Sequence, residues 1–157
     1  MKEKTMFGDI NVELQWISAN QFYKLGRVAI TSCFSLPIKD NSILMTLNPR
    51  GWDFIGGHTE NNETPFTTMY RESKEEASIE IIGSTFLGAI EVINPEWNKS
   101  SPYPKTAYQL FYLSNQFILN DFDDSFECED RKFIPLLEIE NKHHNLLETH
   151  KELLKHI

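Results

Sequence analysis

The chain reads as one domain of mixed α and β structure, either α/β or α+β, expected to span residues 1–157 as a single unit. Three observations predict this. Runs rich in β-branched and aromatic residues are interleaved with two helical stretches. No internal repeat or linker divides the chain, and 157 residues fall within the ~100–200 typical of one domain. A hydrophobic fraction of 40%, with 11 Phe, supplies a core and excludes disordered or low-complexity classes.

Residues 27 to 38 form the first β-rich run, and the turn residues Lys39-Asp40-Asn41 pair it with Ser42 to Leu47 as a hairpin. Asn48-Pro49-Arg50-Gly51 closes the far end. After a Gly-rich turn, a helix is expected from about Thr64 to Ser78, with Thr64 as N-cap and Pro65 in the first helical position. Strands follow at Ser84 to Ile93 and Thr106 to Leu113, separated by the Pro- and Ser-rich loop 94–105. From Asn141 to Ile157, the spacing of Leu146, Leu147, Leu153, Leu154 and Ile157 predicts one amphipathic helix.

Asp and Glu number 23 against 15 Lys and Arg, a net charge of −8. Such a chain is repelled by phosphate backbones and anionic membranes, so stable nucleic-acid or membrane partners are not expected. Cys33 and Cys128 form neither a CxxC pair nor a disulfide framework. The N-terminal residues lack an apolar signal region, and no run approaches the ~18 apolar residues of a membrane span, so a cytoplasmic location is expected. Two glycosylation triplets, at Asn62 and Asn98, are set aside on the same ground.

Between Gly57 and Glu80, six glutamates face Arg71 and Lys74, a local balance of −4 that carries half of the excess negative charge. Glu72, Glu75 and Glu76 occupy i, i+3 and i+4, so they project from one helix face. Like charges at that spacing cost only ~0.2–0.5 kcal/mol per pair, which an ordinary solvated face tolerates, with Arg71–Glu75 as an i,i+4 ion pair. The alternative is a hard-cation site of oxygen donors suited to Mg²⁺, with Mn²⁺ as a substitute.

The whole pattern reads Gly57, five residues, Glu63, seven residues, then Arg71-Glu72-Ser73-Lys74-Glu75-Glu76-Ala77-Ser78-Ile79, preceded by Trp52-Asp53-Phe54-Ile55-Gly56-Gly57. It closely resembles the signature box of the Nudix hydrolase family. The resemblance implies an α/β/α sandwich around a mixed β-sheet. It also implies metal-dependent hydrolysis of a nucleoside diphosphate linked to another group, by attack of a metal-activated water. Glu72, Glu75 and Glu76 would then be metal ligands, joined by a carbonyl of the Gly56-Gly57 turn. Arg71 would pair with Glu63 to fix the loop against the helix. The catalytic base would be Glu76 itself or Glu127, with Glu75 also in the catalytic set.

Three positions depart from the box. Ser78 stands where glycine is usual, Ser73 where an aliphatic residue is usual, and Ile55 where proline is common. All three are scaffolding positions. Two rival readings stay open: an isoprenoid diphosphate isomerase on the same scaffold, which would need additional catalytic Cys and Glu positions, and a nucleotide-sensing or partner-binding domain that hydrolyses nothing, which Ser73 and Ser78 make plausible.

The acidic run from Asp121 to Asp130 fails as a calcium loop, since its sixth position is Phe126 and its twelfth Lys132. It stands either as a solvated loop or as the segment that brings Glu127 to the site. His143, His144, His150 and His156 form no HExxH motif and are assigned packing or surface roles. Trp97 and Tyr103, in the long loop, are either base-stacking residues or local anchors. The substrate is not encoded in the box, and oligomeric state, a homodimer included, is left open.

Overall fold

The structure, a computed structural model, describes residues 1–157. Its strands are β1 (Lys2–Phe7), β2 (Ile10–Ser18), β3 (Ile30–Lys39), β4 (Ser42–Asn48), β5 (Gly51–Asp53), β6 (Ile55–His58), β7 (Ile79–Ile93), β8 (Thr106–Leu119) and β9 (Asp130–Pro135). The helices are α1 (Ala19–Phe22), α2 (Pro65–Ala77), α3 (Ile139–Lys142) and α4 (Glu148–Leu154). The sheet runs β1-β2-β7-β8-β3-β4-β5, with β6 added to β3 and β9 to β4. It is mixed, because β3 pairs parallel to β8 while the other ladders are antiparallel.

Alternation along the strands builds two cores from the same residues' neighbours. Leu36, Ile43, Met45, Phe54, Ile90 and Phe111 face one cluster, which α3 and α4 cover through Ile139 and Leu153. Cys33, Leu44, Ile55, Ala89 and Leu110 face the other, which α2 covers through Met69 and Ala77. Helices thus lie on both faces, giving the α/β/α sandwich.

The expected hairpin turn is present, with Asp40 and Asn41 both left-handed (φ 51° and 57°), the conformation a two-residue hairpin requires. Strand β7 begins at Ile79 and β8 runs to Leu119, so both exceed their expected lengths. Strands β1 and β2, at the N-terminus, the short β5 and β6, where turns were expected, and β9, which starts at the last residue of the acidic run, are additions to the expected elements.

The C-terminal helix is a correction. Residues 141–157 are broken, not continuous: α3 ends at Lys142 and α4 begins at Glu148. The backbone N–H of Asn145 donates to His143 Nδ1 at 3.1 Å, diverting it from helical pairing. Leu146 and Leu147 pack against the core from this irregular segment. Helix α4 restarts with its first N–H groups held from afar: those of Glu148 and Thr149 donate to the Glu3 carboxylate at 3.1 and 3.0 Å.

Candidate active site

Helix α2 is set at both ends. Thr64 caps it by accepting from Thr67 N–H at 3.2 Å, and Pro65 sits in its first turn. It stops at Ser78, which adopts the left-handed conformation (φ 54°, ψ 41°) that the family's usual glycine would favour. A non-glycine residue there costs on the order of 1 kcal/mol. The serine offsets this with one bond that glycine could not make, since its Oγ accepts from Asp123 N–H at 2.9 Å. Arg131 adds a second tie, donating to the carbonyls of Ala77 at 2.7 Å and Asn120 at 2.6 Å. Ser73 has no such offset. It is fully buried and its Oγ has no partner, so the hydroxyl leaves a polar group stranded where an aliphatic side chain would pack.

Arg71 organises the face that α2 presents. Its Nε and Nη2 donate to the two oxygens of Glu63 at 2.8 and 3.0 Å, a bidentate pair that holds the Glu63 carboxyl down at about 2. Nη2 also donates to the His58 carbonyl at 3.1 Å, and Nη1 reaches Glu72 at 3.0 Å and Glu75 at 3.3 Å. One guanidinium therefore fastens the loop, the end of β6 and two helix carboxylates together. The i,i+4 ion pair and the loop pair coexist. Glu63 is itself pinned by Glu60 N–H at 2.8 Å and the Thr68 hydroxyl at 3.1 Å, and Asn62 takes a left-handed conformation (φ 66°) that asparagine tolerates in turns.

Opposite this face lie Gly56 and Gly57, which are not in the expected turn but in strand β6, where they pair with Phe34 and Cys33 of β3. A β-carbon on Gly56 would run into the Cys33 carbonyl, and one on Gly57 would overlap the Glu72 carboxylate at 2.5 Å. Two side-chain-free residues let backbone approach the acidic face. The Gly56 N–H donates to Glu76 Oε2 at 3.1 Å. That single bond is outweighed by burial, which, with repulsion from Glu72, Asp53 and Glu127, pushes the Glu76 carboxyl up to about 8. Burial also raises Glu72, against the pull of Arg71. The face holds more negative charge than its surroundings neutralise. The ligating oxygens of Glu72, Glu75 and Glu76 do not all lie within 4.8 Å of one another: Arg71 holds Glu72 and Glu75 while Gly56 holds Glu76.

Glu127 lies within electrostatic reach of Glu76, on an exposed stretch that the buried Cys128 and the Glu129 N–H to Leu47 carbonyl bond, 2.8 Å long, tie down. Tyr103 also comes to the site: its ring lies 6.2 Å from that of His58, the residue after Gly57, at an interplanar angle of 18°. Trp97 sits one step behind, its indole N–H donating to the Tyr103 carbonyl at 3.0 Å.

Two residues near the glycine pair lie outside the sequence-based expectations. His58 follows the glycines but carries no motif signal on its own. Asp53 joins His143 and His144 in the one trio of acidic, His or Cys side chains whose ligating atoms all lie within 4.8 Å. Its chemistry is not that of a cation site. His143 Nδ1 accepts from Asn145, which leaves the ring proton on Nε2, 3.0 Å from Asp53 Oδ1 although off the donor axis. His144 Nε2 reaches Oδ2 at 3.0 Å, and Phe54 N–H donates to Oδ1 at 2.8 Å. Burial works to raise Asp53, yet the two imidazoles outweigh it and lower the carboxyl. The carboxylate is full, and the trio latches the C-terminal segment to β5.

A fold with a three-glutamate helix face, an Arg–Glu clamp and a bare Gly-Gly strand segment defines a class that comparison with known proteins identifies. The family model for the NUDIX domain matches residues 31–157, and the chain belongs to the Nudix family. Among solved structures it is similar to a pyrophosphohydrolase of Bacillus subtilis, at 20% identity and TM-score 0.62, over 87% of this chain and 75% of that one. It is similar to the MutT NUDIX hydrolase from Burkholderia pseudomallei at 17% identity and TM-score 0.60, covering 83% and 99% of the two chains. An ADP-ribose pyrophosphatase from Streptococcus suis matches at 17% identity and TM-score 0.55, covering 79% and 88%. No curated protein matches in sequence.

Proposed function

We propose that this chain is a divalent-metal-dependent diphosphohydrolase that cleaves the diphosphate link of a nucleoside diphosphate derivative. In this reading residues 1–157 act as one domain in the cytoplasm. The observation that carries it is the uncompensated acidic face of Glu72, Glu75 and Glu76 opposite the side-chain-free Gly56-Gly57 pair of β6. Hard oxygen donors, two of them with raised proton affinity, fit Mg²⁺ or Mn²⁺. Glu72, Glu75, Glu76 and the Gly57 carbonyl would hold the metal.

Bound there, a divalent cation supplies charge neutralisation for the diphosphate and a lowered pKa for the attacking water. The chain does the rest. Arg71 and Glu63 fix the helix at one angle to the loop, so the carboxylates keep their places without rearranging. Glu127, close to Glu76 and open to solvent, takes the proton of the attacking water. A positioned base of this kind contributes about 10²–10⁴-fold. The protein should turn over at least one of nucleoside triphosphates, ADP-ribose or dinucleoside polyphosphates with Mg²⁺, and Glu76→Gln should abolish that turnover. A panel without turnover, from protein that also fails to bind Mg²⁺ by calorimetry, would overturn the proposal. Glu127→Gln leaving kcat unchanged would remove Glu127 as the base.

A further inference from the structure

Arg131 follows directly on the acidic run that ends at Asp130, yet the hydrogen bonds of its guanidinium all go to backbone carbonyls. Nη1 donates to Ala77 at 2.7 Å and to Ser78 at 3.3 Å, and Nη2 donates to Asn120 at 2.6 Å. The root of the side chain is fixed, because Arg131 pairs with Thr46 in the ladder between β4 and β9. Strand alternation places it on the same face as Phe133, which packs against the core beneath α2. The guanidinium carbon lies 5.6 Å from the centre of the Phe122 ring, which supports its plane from one side.

The carbonyls it holds come directly after Glu76. Ala77 ends α2 and Ser78 is its left-handed cap, so both belong to a helix end whose carbonyls lack partners within the helix. Ser78 also accepts the Asp123 N–H on Oγ at 2.9 Å and the Asn120 N–H on its carbonyl at 3.0 Å. Glu127 stands four residues before Arg131, and between them the Glu129 N–H is bonded to the Leu47 carbonyl. One side chain thus joins the end of the glutamate-bearing helix, the start of the loop after β8, and the strand that follows Glu127. The Glu76 carboxylate has a single hydrogen bond of its own, from the Gly56 N–H. Its place is set mainly through the backbone that Arg131 grips.

We propose that Arg131 is a positioning residue of the metal site: it locks the end of α2 against the 120–131 segment, so that Glu76 keeps its place opposite Gly56 and beside Glu127. This rests on the metal-dependent reading above and adds to it a residue more than fifty positions beyond the Gly57–Ile79 box. Charge alone argues for the opposite effect. A cation bonded to the residue after Glu76 repels Mg²⁺, so deleting it would tighten metal binding if Arg131 acted only through its field. Positioning predicts that binding weakens.

Calorimetry of Mg²⁺ binding to the whole chain, below the melting temperature of each variant, reads that sign. Arg131→Ala should bind Mg²⁺ at least tenfold more weakly than wild type, since removing a group that orients a metal ligand typically costs about 10–100-fold in affinity. Arg131→Lys keeps the charge but has no fork to span Ala77 and Asn120, and its affinity should fall between the two. The lysine variant carries the test alone if the alanine variant does not fold. Wild-type or tighter Mg²⁺ affinity in either folded variant would overturn the proposal, even with a lowered melting temperature, because a merely structural residue would change stability and leave the affinity of the folded protein alone. Wild type that shows no Mg²⁺ binding would overturn both readings. The expected order of affinities, in a protein that cleaves nothing in the substrate panel, would support the positioning role and count against hydrolysis alone.

Discussion

Replacing Glu76 by Gln separates the electrostatic content of the acidic face from its catalytic consequence. In the metal-free protein the Glu76 carboxyl stands at about 8, against an ordinary value of 4.5. Between those values the folded state holds a proton that the unfolded state has released. Stability therefore falls as pH rises through that window, by about 1.4 kcal/mol per pH unit, and levels off above pH 8. Accumulated over the window this is on the order of 4 kcal/mol. Gln keeps an oxygen for the Gly56 N–H and carries no charge, so the variant escapes the loss. Thermal unfolding in EDTA should show the two proteins alike near pH 4.5 and the variant melting roughly 10 °C higher at pH 8, using ~2–4 °C per kcal/mol for a chain of this size. Other titrating groups, His150 among them, are common to both and cancel in the difference. Mg²⁺ should raise the wild-type melting temperature at pH 8 and leave the variant nearly unmoved. A variant no more stable than wild type at pH 8, or a difference that does not shrink toward acid pH, would refute the argument.

Two other substitutions probe the frame around that face. Arg71→Lys keeps the charge but loses the planar fork that grips both oxygens of Glu63 while reaching Glu72 and Glu75; unfolding by urea should show a loss of about 2 kcal/mol, with kcat falling more than KM rises. Gly57→Ala places a methyl against the Glu72 carboxylate, the movable end of a side chain, so the fold should survive with less than about 1.5 kcal/mol lost while Mg²⁺ affinity drops at least tenfold by calorimetry.

What the sequence disclosed was whatever depends on neighbours along the chain. The Asp40-Asn41 turn, the Thr64 cap with Pro65, and the helical spacing of Glu72, Glu75 and Glu76 all rest on local backbone preference, and each stands where it was expected. The pairing of Arg71 with Glu63 followed from resemblance to the box, and the geometry supports it. What stayed hidden depends on distant partners. Helix α4 is capped by Glu3, a residue at the other end of the chain, and no periodicity reports that. The leucine spacing from 146 to 157 imitates one helix, although His143 withdraws the N–H of Asn145 and breaks it. Strand β9, short and starting at the end of the acidic run, is fixed by its ladder with β4, some ninety residues earlier in the chain. His58 and Asp53 were silent for the same reason: each gains its meaning from a residue dozens of positions away.

The parallel seam between β3 and β8 ties Ile30 to Tyr108 and Pro37 to Ser114, across an intervening stretch of roughly seventy residues that includes the whole Gly57–Ile79 box. A chain emerging from a ribosome cannot complete its central sheet until that stretch has been made, and loop closure over such a distance slows the search. Folding should accordingly be late and cooperative, with no half of the molecule able to stand alone, and a polypeptide ending before residue 106 should behave as an aggregation-prone fragment.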